Sequence, residues 1–266
     1  MLILPRKDTK TNLMSIPEAL FTGKNKIYYE EISSTNIYAM DMISKTNPPD
    51  GTCIITDYQT AGRGQIGRYW HSDVGKNLLV SYIFYPHTLK VNDQFYLNII
   101  SGLAVRDVVS HWVENVKIKW PNDIYIGNKK AAGILVQNVL RGDFIRSTVV
   151  GIGLNVNERD FPAELPNPIS VTSITGFDIE IDQVFHFVSA RLEFYYLHLR
   201  NNKHTFLQNE YLSQLYRKDE WAEYTDSSGF RFSGCITGID PQGKLQMMTD
   251  GGVVKSFGFR DIAYVI

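Results

Sequence analysis

The chain has 266 residues, 44% of them hydrophobic and 12% aromatic, a composition that suits a packed globular protein and excludes a disordered one. Twenty-seven Lys and Arg nearly cancel 28 Asp and Glu, so no bulk field favours nucleic acid or an anionic membrane. The cysteines, Cys53 and Cys235, lie far apart, "MLILPRKDTK" lacks a signal-peptide core, and no apolar run is long enough to span a bilayer; a cytoplasmic setting follows.

Residues 1–26 offer no assignable element. "SSTNIYAMDMISK" (33–45) predicts a helix, with Ser and Thr supplying N-cap oxygens and Ile37, Met40 and Ile43 at helical spacing. "GTCIITDYQT" (51–60) and "NLLVSYIFYP" (77–86) predict strands on either side of a glycine-rich loop. "QFYLNIISGLAVRDVVSHWV" (94–113) predicts a long amphipathic helix. Three strand-like pieces follow: "VKIKW" (116–120), a hairpin over 124–140 folded at Gly127-Asn128, and "IRSTVVGIGLNVN" (145–157). In the first, alternation sets Val116, Ile118 and Trp120 on one face and Lys117 and Lys119 on the other. Helices are predicted again over 183–199 and 204–215. From residue 219 short strands alternate with "DSSG", "DPQGK" and "DGG", the turn chemistry of a small antiparallel barrel. The expected architecture is α+β: a mixed sheet with helices on one face over residues 27–218, and a small all-β unit over 219–266.

The loop "AGRGQIGRYW" (61–70) satisfies G-x-G-x-x-G, but a strand rather than a helix follows it, so a dinucleotide-binding turn is excluded. No Walker loop and no H-R-D, D-F-G or A-P-E triplet occurs, which removes a kinase. What remains is a glycine-hinged flap carrying Arg63 and Arg68, whose guanidinium forks suit carboxylate and phosphate oxygens; a solvated hairpin with surface arginines reads equally well on this stretch alone. "KWPND" (119–123) sets a polar turn at the end of an apolar strand, or is simply a proline turn. "KKAAGILVQ" places Lys130 at a strand entrance, where a lysine is ordinarily solvated. Glycines in "GIGLNVN" (151–157) signal a close approach by ligand, side chain or backbone. The six histidines form no H-E-x-x-H and no cysteine-spaced cluster, so no protein-only metal site is expected.

"SSTN", "GRGQIGRYW", "KWPND", "KAAGIL" and "GIGLN", in that order, resemble the biotin–protein ligases, from about residue 27 to the C-terminus. The resemblance implies a class II synthetase-like, biotin–lipoate ligase-like catalytic domain and a C-terminal SH3-like β-barrel. It implies ATP and biotin as substrates, with Mg2+ accompanying ATP, formation of biotinyl-5′-adenylate, and transfer to a lysine of a biotin carboxyl carrier protein or domain of a biotin-dependent carboxylase. On it, Ser34, Thr35, Asn36 and Gln59 surround the biotin ring system. Arg63, Gly64 and Gln65 belong to the loop that orders over biotin, and Gly133, Leu135, Gly151 and Gly153 line the apolar slot. Trp70, Asn122 and Asn155, with Arg68, fall on the adenylate side, and Lys130 and Arg63 are the catalytic cations. Gln65 stands where many members carry arginine. Only about 33 residues precede "STN", too few for the winged-helix repressor domain of bifunctional members, so no nucleic-acid binding is expected. An exposed sheet edge offers pairing to a second copy, giving a homodimer, or to the carrier.

Cations suit the first step because a carboxylate must meet a triphosphate. A closing flap suits the product, a mixed anhydride that water would destroy. Cys53 lies in an apolar strand and reads as core packing, and Asp123 as structural before it reads as a base. The rival readings are a lipoate or octanoate ligase of similar fold and a non-enzymatic binding module.

Overall fold

A computed structural model describes residues 18–64 and 69–266. The chain opens with β1 (Lys26–Ile32), α1 (Thr35–Lys45), β2 (Cys53–Gln59), β3 (Leu78–Phe84) and α2 (Tyr96–Val109). Then come β4 (Val116–Lys119), β5 (Asp123–Ile126), β6 (Lys129–Arg141), β7 (Phe144–Leu154), the single turn α3 (Thr172–Thr175), α4 (Ile181–Arg200) and α5 (His204–Ser213). The last part holds β8 (Trp221–Asp226), β9 (Arg231–Ile239), β10 (Leu245–Thr249), β11 (Val254–Phe257) and β12 (Ile262–Tyr264). Every element predicted from sequence is present; the helix expected over 94–113 stops at Val109.

Seven strands build one mixed sheet in the order β1-β2-β3-β7-β6-β5-β4, with β1 and β2 parallel. β3 is buried along its whole length because both of its faces are covered. Leu78, Val80, Tyr82 and Phe84 join the core formed with α2 and α4, while Ile83 packs with Ala39 and Ile43 of α1 in a separate cluster. The expectation of helices on one face is therefore corrected: α1 lies on the opposite face, where it shelters a shallow apolar layer of Ile54, Ile83 and Val149. The N-cap expectation is also corrected. Ser34 occupies the cap position of α1 but makes no side-chain cap bond.

The five remaining strands form an antiparallel sheet, β11-β10-β9-β8-β12, consistent with an SH3-like unit. Its turns work as the sequence predicts: Asp226 Oδ1 accepts from the backbone of Ser228 and Phe230, and Asp240 Oδ1 from Gln242 and Lys244. This sheet is tied to the larger one by Trp120, whose Nε1 donates to Gly243 O at 2.8 Å. At the outer edge of the large sheet, β4 is capped by the 214–216 segment through Ile118 and Leu215. On its outer side β1 pairs with no strand among the described residues.

Candidate active site

The face of the large sheet that carries α1 is hollowed into a cavity of about 420 Å³. Strand register explains the hollow. Gly153 of β7 pairs with Gly133 of β6, which pairs with Asp123 of β5; one step along, Gly151 lies between Ser81 of β3 and Leu135 of β6. Three glycines thus floor the middle of the sheet. A Cβ at Gly151 would overlap the Asn36 amide, and one at Gly153 would sit 2.5 Å from Cε2 of Trp70, so each absent side chain makes room for a neighbour that crosses the floor.

The start of α1 supplies the polar end. Gln59 Oε1 accepts from Thr35 N at 2.8 Å and from Thr35 Oγ1 at 3.2 Å, and Ser81 Oγ, fully buried beneath, contacts Thr35 Oγ1 at 2.7 Å and Asn36 Oδ1 at 2.5 Å. Asn36 Nδ2 donates to Leu135 O and Gln137 Oε1. The amides of Asn122 and Asn155 are partly engaged by the scaffold: Asn122 Nδ2 donates to Ile134 O at 2.6 Å, and Asn155 Nδ2 to Ile169 O at 3.1 Å. Their carbonyl oxygens, and the second N–H of Asn122 Nδ2, are the groups they can offer a ligand.

The charged end centres on Lys130, whose Nζ lies 2.7 Å from Asp123 Oδ1 and 5.7 Å from the Trp70 ring centre. β6 reaches this arrangement through a bulge. Ile124 pairs with Ala132 but Tyr125 pairs with Lys130, so Ala131 has no partner on β5. The extra residue reverses the alternation and brings Lys130 onto the face of Gly133, whose added Cβ would lie 3.3 Å from Lys130 Nζ. On its other side the Lys130 backbone is clamped by the 167–169 segment, donating to Asn167 O and accepting from Ile169 N.

The flap is pinned at its base. Arg63 and Tyr69 form an antiparallel bridge, and Trp70 N donates to Gly62 O at 3.0 Å. Arg63 is exposed at the rim and makes no ion pair among the described residues. Gln65 and Arg68, both expected to act here, lie outside the described residues.

All fourteen described residues singled out from sequence line this one cavity: Ser34, Thr35, Asn36, Gln59, Arg63, Gly64, Trp70, Asn122, Lys130, Gly133, Leu135, Gly151, Gly153 and Asn155. The cavity also takes in residues the sequence did not place in the site. Asp123 is an ion-pair partner rather than only a turn residue. Lys119 has Nζ 4.7 Å from the Tyr125 ring centre and 4.6 Å from that of Tyr264, and Tyr264 and Ile266 bring the second sheet to the cavity wall. Phe161, Leu165 and Pro166 supply an apolar wall from a segment with no periodic pattern. Cys53 is fully buried and its thiol is pushed up to about 12 by burial, as suits core packing rather than nucleophilic chemistry. Although no metal motif is legible in sequence, His71, Asp73 and Glu158 bring three donor atoms within 4.8 Å of one another, and His71 lines the cavity. Two carboxylates and an imidazole fit a divalent cation. No helix among the described residues is long and apolar enough to cross a membrane.

Comparison with known proteins agrees with this geometry. The Biotin/lipoate A/B protein ligase family matches residues 28–155. The bifunctional ligase/repressor BirA of Bacillus subtilis is 32% identical over 248 residues, 88% of this chain and 73% of that protein. The biotin–[acetyl-CoA-carboxylase] ligase of Mycobacterium tuberculosis is 31% identical over 132 residues, 48% of each chain. Among solved structures, the biotin protein ligase of Aquifex aeolicus in complex with biotin and ATP superposes with a TM-score of 0.74 at 26% identity, covering 90% of this chain and 98% of that one. With a relative this similar across most of both lengths, and five sequence motifs converging on one cavity, the chain belongs to the biotin–protein ligases of the biotin/lipoate A/B protein ligase family.

Proposed function

We propose that this cavity joins biotin to AMP and then passes the biotinyl group to a lysine of a carrier protein. The observation that carries the reading is the Lys130–Asp123 pair, set beside a glycine-floored apolar slot and facing a flap that bears Arg63. The slot lined by Gly133, Gly151 and Gly153, beside the Asn36 and Trp70 side chains that rest on them, suits the thiophane ring and valeryl chain, and the polar cluster of Ser34, Thr35, Asn36 and Gln59 suits the ureido group. In the first step a carboxylate oxygen of biotin attacks the α-phosphorus of ATP, and the bond to the β-phosphate oxygen breaks, releasing pyrophosphate. Lys130 and Arg63 draw the two anions together and stabilise the charge that builds on the α-phosphate. Mg2+ brought with the nucleotide would offset the remaining phosphate charge.

In the second step the amine of the acceptor lysine attacks the acyl carbon and AMP leaves with the bonding electrons. We assign the ammonium proton to Asp123, the carboxylate that lines the cavity beside Lys130. We assign Trp70, Asn122 and Asn155 to the adenylate side, and Gln65 and Arg68 to the flap that closes over it. The acceptor is a biotin carboxyl carrier protein or domain of a biotin-dependent carboxylase, and the setting is cytoplasmic. β1 is the edge through which a second copy of the chain would pair.

The test is ATP–pyrophosphate exchange with biotin, lipoate and octanoate offered separately. Exchange that depends on biotin is the expected result. Exchange with lipoate but not biotin would overturn the reading of the slot.

A further inference from the structure

We propose that Tyr264, from the second sheet, is a positioning residue: it holds Lys119 as the cation that receives the pyrophosphate released in the first step. Its part in the reaction rests on the function proposed above. Strand register brings Lys119 to the cavity. Gly153, Gly133, Asp123 and Lys119 are successive cross-strand partners on β7, β6, β5 and β4, and directly opposed residues of antiparallel strands share a face. Lys119 therefore ends the row that begins at the glycine floor, two strands beyond Gly133 and about 10 Å across the sheet.

The direction of that row decides what the lysine can meet. In phosphoryl-type transfer the attacking and leaving oxygens lie roughly in line. Biotin would reach Lys130 and Asp123 from the glycine slot on β6 and β7, so the leaving group departs toward β5 and β4. Charge points the same way. Lys130 is paired with Asp123 at 2.7 Å, and the two together bring no net charge to the phosphates. Lys119 adds the positive charge that an anionic leaving group needs.

Aromatic faces fix where that charge stands. Lys119 Nζ lies 4.7 Å from the Tyr125 ring centre and 4.6 Å from that of Tyr264, and it donates to Tyr125 Oη at 3.2 Å. A cation over two ring faces is attracted by both quadrupoles. Tyr264 is itself locked in place. Its ring centre lies 5.2 Å from that of Tyr224, its cross-strand partner, and 6.0 Å from that of Tyr216, which in turn lies 5.5 Å from Tyr125. The Tyr264 hydroxyl is buried without a hydrogen-bond partner among the described residues, so what this residue gives the site is its ring.

Isothermal titration calorimetry with inorganic pyrophosphate, on the full chain without biotin or nucleotide, tests the assignment. Lys119→Met and Tyr264→Leu should each weaken binding by about 10-fold, the scale of a cation held over aromatic faces. Tyr264→Phe keeps the ring and should restore wild-type affinity. In the Lys119→Met background, Tyr264→Leu should weaken binding no further, because the two residues act as one unit; a merely structural tyrosine would lose the same factor again. Lys119 is half-buried, so its variant remains informative if Tyr264→Leu fails to fold. Wild type that binds no pyrophosphate at millimolar concentration, a Lys119→Met protein that binds as wild type does, or additive losses in the double variant overturns the proposal. Biotin-dependent pyrophosphate exchange on the same samples separates the two claims. Normal exchange without this binding pattern removes only the positioning role, and this binding pattern without biotin-dependent exchange removes only the function.

Discussion

Asp123 and Lys130 face each other at 2.7 Å across a bulge in β6 where Ala131 has no partner on β5. Without that bulge, alternation would send Lys130 to the core face with Ala132 and Ile134. Lys130→Ala should therefore leave the fold intact and lower biotin-dependent pyrophosphate exchange by ~10² to 10³, the loss seen when one transition-state donor is removed. Asp123→Asn keeps the shape but frees the ammonium, and should lower the rate by up to about 10²-fold, the scale of a misplaced group. Single-turnover measurements check both; exchange unchanged in Lys130→Ala would remove that lysine from the chemistry.

The same bulge marks where the sequence stops being informative. Turn residues, helical spacing and β-branched runs gave most elements their type and place, because those signals are local; β1 and the single turn α3 were not read. The glycines of "GIGLN" and the lysine of "KKAAGIL" were visible as departures from a plain strand, yet their shared face was not, since it depends on one residue without a partner on β5. Ser81 was invisible for a related reason: within the apolar run "LLVSYIF" it reads as a tolerated small residue until register places it under Thr35 and Asn36. Glu158 carries no motif at all, and joins His71 and Asp73 only through tertiary contact.

Gly153 sits in contact with the Trp70 indole, whose Nε1 is buried without a hydrogen-bond partner among the described residues. Gly153→Ala must push that ring away. Overpacking of this kind costs about 1–3 kcal/mol, and because the ring lines the cavity, part of that should appear in substrate binding. The expected result is a raised KM for biotin or ATP together with a shifted tryptophan emission. A variant with wild-type KM values and emission would show that the ring does not rest on this floor.

Ser81 Oγ is wholly buried and holds the two residues that form the polar end of the cavity. Ser81→Ala leaves Thr35 and Asn36 without that support, and a buried polar group left unpaired costs about 1–3 kcal/mol. Since neither contact involves a reacting atom, KM for biotin should rise by about 10-fold, equivalent to ~1.4 kcal/mol, with kcat nearly unchanged. A fall in kcat at constant KM would contradict a positioning role.

Trp120 joins the two sheets through a 2.8 Å bond to Gly243 O and a ring contact with Phe259 at 5.3 Å. Gly243 has φ of +82°, and an added Cβ would overlap Phe95, so the acceptor carbonyl belongs to a turn that only glycine fits. Trp120→Phe keeps an aromatic ring but orphans that carbonyl, at about 1–3 kcal/mol, which lowers Tm by several degrees in a chain of this size. Because Tyr264 and Ile266 line the cavity from the second sheet, loosening the junction should also depress pyrophosphate exchange well below the melting range. Thermal unfolding and exchange rates measured on the same sample decide it. A lower Tm with full activity would mean that the second sheet stabilises the chain without shaping the site.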